Sequence, residues 1–503
     1  MSILDSLKSI QGVIKNTTNA SPGDYEIDIC ALTHGDGGGT YPFGNLVTGI
    51  AVFENIESAG ITGYLDITDH VNLIQAGPLV GEELLQLKFS TAGTDDASLE
   101  DFSVDFTENP LYVFSIEQVN VKSDNTIDYR IHFCSPELIK DKRVRISKAY
   151  QGNVSDIVEN ILTTEIGTKK KITIEPTLGV QHYISPNLHP YDFIRDLAGD
   201  VEAKELVGAA WTPSIGSKSL SNEQVFKGFR NDFMFYESCS GLNFRPIGTP
   251  NMDSGLEFTI NVSQTTSSAI GDGHASAMLR ATEHSITSLG DKFRNLGNGT
   301  YGGKHIRHNG VTKSYAVYKS DYMKQLQKES YAHISKTPVY EADDAIKALL
   351  VSEYPDSRVR FSSTSSFRDT IINKNSGLAT VPISATSPAH SLQRQMQLGH
   401  LLGSHRLNIT LPGISGLRVG MGAYAELPEV GLGAGQKGLK DSEELAENRF
   451  DNYWVITKVS HIVNTREGGG NRAEYKCLVE LANTMAMTQD PLPTYNKLAA
   501  ASA

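Results

Sequence analysis

Cysteine is scarce in this chain: Cys30, Cys134, Cys239 and Cys477 are the only four in 503 residues, and no two form a CxxC pair. Cys134 and Cys477 fall inside apolar strand patterns, so all four read as small buried hydrophobes in a reducing compartment, not as a disulfide or zinc framework. There is no run of about 18 apolar residues, which excludes a membrane-spanning helix. Positive charge is also short. Against 58 Asp and Glu stand 45 Lys and Arg, a net charge of -13. That balance argues against a protein that grips DNA or acidic membranes, because phosphate binding needs a lysine- and arginine-rich surface. It suits a surface that nucleic acid passes without sticking.

Enzyme signatures are missing as well. There is no HExxH pair and no GxSxG elbow; "GISG" at Gly413–Gly416 has the wrong spacing and reads as a turn between strands. "GNGTYG" at Gly297–Gly302 satisfies GxGxxG, but a nucleotide loop needs a strand before it and a helix after it. Here "GKHIRHNGV" follows with no helical stripe and an Asn-Gly turn, so the segment reads as a loop. His305 and His308 of "HIRH", with His284 or His333, lack a Cys or carboxylate partner at ligand spacing and read as scattered surface histidines. "GTDDASLED" lacks the ligand pattern of a calcium loop and reads as solvated acid. With so many carboxylates, no glycosidase pair can be nominated. No catalytic, cofactor-binding or metal-ligating residue is therefore assigned, and no cofactor is expected.

What is present is strand. Forty-five glycines and twenty tyrosines in 503 residues, a length for three or four domains, lean toward turns and sheets. From Tyr25 to Cys134 the pattern alternates. "LYVFSIEQVNVKSDNTIDYRIHFC" is a hairpin in which Tyr112, Phe114 and Ile116 alternate on one arm and Ile127, Tyr129, Ile131 and Phe133 on the other. Asp128, Arg130 and His132 line the opposite face. "GITGYLDITDHVNLIQAGPLVGEELLQLKF" carries Asp66, Asp69, His70, Glu82 and Glu83 on a strand, a turn and a second strand, where they read as a polar face.

The period changes after Ser135. "GNVSDIVENILTTEIG" places Asn153 as N-cap and Asp156 three residues on, with Val154, Ile157, Val158, Ile161 and Leu162 on one stripe. "HPYDFIRDLAGDV" sets Pro190 in a first helical turn. Lys169–Lys171 read as the solvated start of a strand, and "FMFYESCSGLNFRPI" as a hairpin around Ser238–Gly241. "ASAMLRATEHSITSLGDKFRNL" and "EADDAIKALLVSE" have helical spacing, "SSTSSF" and "NKNSG" are loop-like, and a helix follows the Ser387 cap and Pro388. "MSILDSLKSIQGVIK" reads as a short amphipathic helix.

The last β-unit echoes the first. "SHRLNITLPGISGLRVGMGAYAEL", "YWVITKVSHIV" and "YKCLVELAN" can be laid beside the opening stretch, "LYVFSIEQV" and "YRIHFCSPE". Each has a strand, a Gly/Pro turn, a Gly before the second strand (Gly81; Gly420 and Gly422), a long insertion and an aromatic-led hairpin.

The ordered string "FENIESAGITGYLDITDHVNLIQAGPLVGEELLQLKF", "LYVFSIEQV", "SPELIKDKRVRISKAYQGNVSDIVENIL", "HPYDFIRDLA" and "FMFYESCSGLNFRPI" resembles the baseplate central hub protein of contractile-tailed bacteriophages. The resemblance implies an α+β, mainly β chain: two tail-tube-like antiparallel β-barrel domains with α/β insert domains. The expected organisation is an N-terminal amphipathic helix or arm (1–21), a first barrel (22–135, completed by about 229–275) and an α/β insert (136–228). A mixed middle region (276–402), a second barrel (403–485) and a tail (486–503) follow. It further implies a homotrimer at the tail axis of the virion, assembled in the host cytoplasm and seated in the baseplate. Implied partners are a spike protein trimer, tail tube initiator proteins, baseplate wedge proteins and the tape measure protein. DNA would transit the lumen without specific binding. The hub of a related contractile injection machine and a tail-associated cell-wall hydrolase are the alternatives. Absence of a β-helical repeat after Leu481 favours a spike on a separate chain.

Overall fold

The computed structural model describes residues 22–34, 39–76, 79–92, 103–123, 126–177, 181–199, 201, 214–215, 218–219, 232–247, 258–261, 280–289, 293, 297, 299, 302–309, 313–321, 358–364, 405–426, 452–465 and 474–483. The expected N-terminal helix, the acidic loop at 93–101, "EADDAIKALLVSE", the helix after Ser387 and the tail lie outside these residues.

Alternation builds the first β-unit from β1 (Tyr25–Thr33), β2 (Thr40–Pro42), β3 (Val47–Asn55), β4 (Thr62–Asp69), β5 (Leu84–Thr91), β6 (Ser103–Asp105), β7 (Leu111–Ser123) and β8 (Thr126–Cys134). They lie in the order β3-β4-β8-β7-β5-β1-β2 with β6 on β5, every pair antiparallel. On β5, Leu85, Leu87 and Phe89 are buried while Gln86, Lys88 and Ser90 are half-buried, the period of two that one covered face imposes. Tyr129, Ile131 and Phe133 of β8 face the core as expected. On β7 the expected face is reversed up to Phe114, and Ile116 beyond it packs on the core as expected. Leu111 and Val113 are buried and Phe114 is 48% exposed, because the pairing Tyr112↔Cys134 and Val113↔Phe133 is followed by a bulge at Phe114. A short helix, α1 (Leu73–Ala76), lies between β4 and β5.

An insert follows: α2 (Pro136–Arg143), β9 (Ala149–Gly152), α3 (Val154–Asn160, continuing as a wider turn through Ile166), β10 (Ile172–Ile174), β11 (Gln181–Ile184), α4 (Pro190–Ala198), β12 (Ser214–Ile215), β13 (Lys218–Ser219), β14 (Phe233–Ser238) and β15 (Gly241–Pro246). Helix ends here are capped from a distance. Asn153 makes no cap bond; Thr177 instead accepts the Ser155 N–H at 2.9 Å, and Asp141 of α2 accepts the Tyr191 N–H of α4 at 2.8 Å. Val154, Ile157, Ile161, Phe193, Ile194, Leu197, Phe233 and Phe244 share one core separate from that of the β-units.

Two assignments are corrected here. The hairpin β14–β15 does not complete the first barrel: it pairs with β10 in the order β10-β15-β14, and its Phe233, Phe235 and Phe244 pack on the insert helices. The next strand, β16 (Phe258–Asn261), pairs with the second unit instead.

That unit comprises β16, β17 (Glu283–Leu289), β21 (His405–Pro412), β22 (Gly422–Glu426), β23 (Asn452–Asn464) and β24 (Glu474–Asn483). A small sheet of β18 (Gly302–Asn309), β19 (Ser314–Asp321) and β20 (Val359–Thr364), order β19-β18-β20, lies between β17 and β21 in sequence. The helical spacing read through 275–296 gives way to strand at 283–289, where pairing to β21 overrides local propensity, and Ser362–Thr364 of the expected loop belong to β20. Both β-units join in one 14-stranded sheet over one continuous core.

Candidate assembly interface

The acidic residues of the opening stretch organise backbone. Asp66 on β4 holds Arg130 of β8 in a two-pronged pair, Nε at 2.7 Å and Nη2 at 3.0 Å, and the guanidinium sits 3.9 Å over the Tyr64 ring. Asp69 is buried and accepts the N–H groups of Val71 at 2.9 Å and Ile74 at 3.3 Å, shaping the turn into α1. Glu83, also buried, accepts those of Val80, Gly81 and Glu82 at 2.6–3.1 Å and folds the approach to β5. His70 is exposed beside the Thr126 hydroxyl, 3.3 Å away. The carboxylates of Asp66, Asp69 and Glu83 are thus committed to backbone N–H groups or a guanidinium, and Glu82 is exposed.

The other motifs disperse. His308 is exposed on β18. His284 is half-buried on β17, and His333 lies outside the described residues. β18 begins at Gly302, where a nucleotide loop would need a helix. Ser415 of "GISG" is buried in a reciprocal pair with Thr91: its N–H reaches Thr91 Oγ1 at 2.9 Å, and the Thr91 N–H reaches Ser415 Oγ at 3.2 Å. Among the described residues, no group of three or more His, Cys, Asp or Glu is placed to hold a metal ion, and all four cysteines are free. Lys170 is not at a solvated end. It is buried, with Nζ 2.6 Å from both Glu137 and Glu237.

What the fold does assemble is a repeat. The order β3-β4-β8-β7-β5 recurs as β17-β21-β24-β23-β22, antiparallel at every step in both. The irregularities recur too. β7 bulges at Phe114 and β23 at Thr457, at the same height of their ladders, and each is 13 residues long. Gly81 and Gly420, in the turns before β5 and β22, both have positive φ, +88° and +81°. The sixth strand differs in direction, since β1 runs antiparallel to β5 and β16 parallel to β22.

The two copies of the repeat meet head to tail. The first residues of β23 pair with β22, and along the same edge its second half, Lys458–Asn464, pairs with β3 in the register His461↔Val52 while β24 holds its other edge. Behind this ladder the joint is polar and buried. Glu54 of β3, 1% exposed, accepts the Cys239 N–H at 2.8 Å and the Val419 N–H at 3.0 Å. Arg418 donates to the Ser415 and Leu417 carbonyls and, at 2.8 Å, to the carbonyl of Ser103. His461 lies 2.7 Å from the Tyr475 hydroxyl, and Phe89 of β5 packs edge-on against the Tyr475 ring with centroids 5.6 Å apart. Burial first, then the Arg418 charge, pushes the His461 imidazole down to about 3, so it is neutral in the joint. A methyl at Gly413 would stand 2.0 Å from the Tyr475 ring, so only glycine admits this approach. Sequence patterning points to the repeat but not to Glu54, Arg418 or the Thr91–Ser415 pair, whose partners lie hundreds of residues away.

No protein-family model matches the chain, and no curated protein sequence matches it. Solved structures with a similar course of the chain include a tail protein from Neisseria meningitidis MC58, 10% identical, covering 91% of this chain and 96% of that one with a TM-score of 0.46. A 43 kDa tail protein of prophage MuSo2 from Shewanella oneidensis is likewise 10% identical, covering 92% and 100% with a TM-score of 0.46. An E. coli component of the type VI secretion system is 10% identical, covering 93% and 80% with a TM-score of 0.39.

Proposed function

We propose that this chain is the structural hub of a contractile phage tail: a trimeric, pseudo-sixfold ring that joins the spike to the tail tube and lets DNA pass. The carrying observation is the duplicated β-unit with its head-to-tail joint. A joint of this type is heterologous, so repeating it around an axis either closes a ring or grows a filament. Two units in each of three copies make a ring of six similar blocks, which presents threefold symmetry to a spike and near-sixfold symmetry to a tube. The sequence resemblance points the same way. A net charge of -13 suits a channel that must not retain DNA, with ion pairs such as Asp66–Arg130 leaving few unpaired cations on β4 and β8.

The role is mechanical. Spike trimer, tube initiator, wedge and tape measure proteins are its proposed partners, in the baseplate of the virion after assembly in the host cytoplasm. Electron microscopy of the purified chain tests the reading: end-on views should show six lobes around an open channel. Compact particles without a channel would overturn it.

A further inference from the structure

The joint inside the chain leaves two matching strand edges. One is the second half of β7, the counterpart of the half of β23 that pairs with β3. Glu117–Val121 are all exposed, Val119 by 51% and Val121 by 72%, whereas their counterparts Ser460–Val463 are buried or half-buried under β3. The other is β17, the counterpart of β3. Glu283, Ser285, Ile286 and Thr287 are exposed and His284 is half-buried, whereas Gly49, Ile50, Ala51 and Val52 of β3 are buried. Among the described residues, no strand pairs with the outer side of either edge.

Over Glu117–Val121 and β17 the edges differ from their counterparts in one respect, and by the same amount; beyond Val121, β7 bulges again at Lys122. β7 has two residues, Gln118 and Val119, against Tyr129 alone, where β23 has only His461 against Cys477. β17 has Ile286 and Thr287 between the pairs Ser285↔Asn408 and Ser288↔Arg406, where β3 has only Val52 between Ala51↔Tyr64 and Phe53↔Thr62. In the formed joint His461 lies opposite Val52. The two extra residues therefore fall opposite one another, and a ladder between these edges keeps its register through both bulges. A bulge on a free edge ordinarily discourages pairing; here each is shaped for the other.

We propose that Glu117–Val121 of β7 pairs antiparallel with β17 of a second copy of this chain, in the register that sets Val119 opposite Ile286 and Val121 opposite His284. The exposed valines and isoleucine cover one another in this register. β23 is already paired with β3 of its own chain, so β7 with β17 takes the place between chains. The inference rests on the hub reading in taking a second copy as the occupant.

Cysteine pairs test it, since a disulfide requires Cα atoms within about 7 Å. Copies carrying Val119→Cys are mixed with copies carrying Ile286→Cys, oxidised, and compared with wild type and with a mixture of Val119→Cys and His284→Cys. The first mixture should give a covalent dimer several-fold above both controls. Native mass is measured on the same samples. Assembled particles without the selective cross-link, or with equal cross-linking to position 284, overturn this joint while leaving the ring standing. A chain that stays monomeric and uncross-linked overturns both.

Discussion

The Glu54 carboxylate, buried on β3, accepts the backbone N–H of Val419 at 3.0 Å across the joint between the two β-units. Its second oxygen takes the Cys239 N–H at 2.8 Å, so one side chain ties both units and the β14–β15 turn together. Acceptor chemistry is what the place requires: two N–H groups that would otherwise be buried without partners.

Glu54→Gln should therefore destabilise the chain by about 2 kcal/mol, because the amide offers one acceptor and turns a donor toward a donor. Urea unfolding reads this as a lower midpoint. An unchanged midpoint would show that the joint does not depend on Glu54.

His461 gives the joint a pH dependence. Burial holds its imidazole down to about 3, while an unfolded histidine titrates near 6.5. Between those values the unfolded chain binds a proton that the folded chain refuses. This contribution to stability is intact above about 6.5 and falls with pH below it, by about 1.4 kcal/mol per unit. His461→Gln removes it. The stability difference between wild type and variant should shift by about 2 kcal/mol in the variant's favour between pH 7.5 and pH 5. Parallel pH profiles would contradict the neutral assignment.

Lys170 holds two buried carboxylates. Burial pushes Glu237 up, whereas for Glu137 burial is opposed by Lys170 together with backbone and Thr168 hydrogen bonds, which hold the carboxyl below its ordinary range. Lys170→Met should cost about 3–5 kcal/mol, since it leaves both acids without their cation. The triple variant with Glu137→Gln and Glu237→Gln should recover part of that loss in thermal melts. A triple variant no more stable than Lys170→Met would contradict the charge account.

What the sequence made legible is what local periodicity controls. Tyr129, Ile131 and Phe133 alternate because one face of β8 is covered, and the stripe of Val154, Ile157 and Ile161 packs on the insert core. The repeat was visible as glycine turns and aromatic hairpins. Illegible were features made by distant segments. Lys170 looked like a solvated lysine because Glu137 and Glu237 arrive from other elements. β17 looked helical because its partner β21 is more than a hundred residues away. Phe114 looked buried because a bulge, invisible to alternation, turns the strand at that residue.

The central claim is that head-to-tail repeats close into a ring of three copies. Multi-angle light scattering on the purified chain over a range of concentrations measures the copy number directly. The account predicts a stable species at about three times the 54.8 kDa chain mass. A monomer or a dimer that persists at high concentration and in the presence of the spike partner would contradict it.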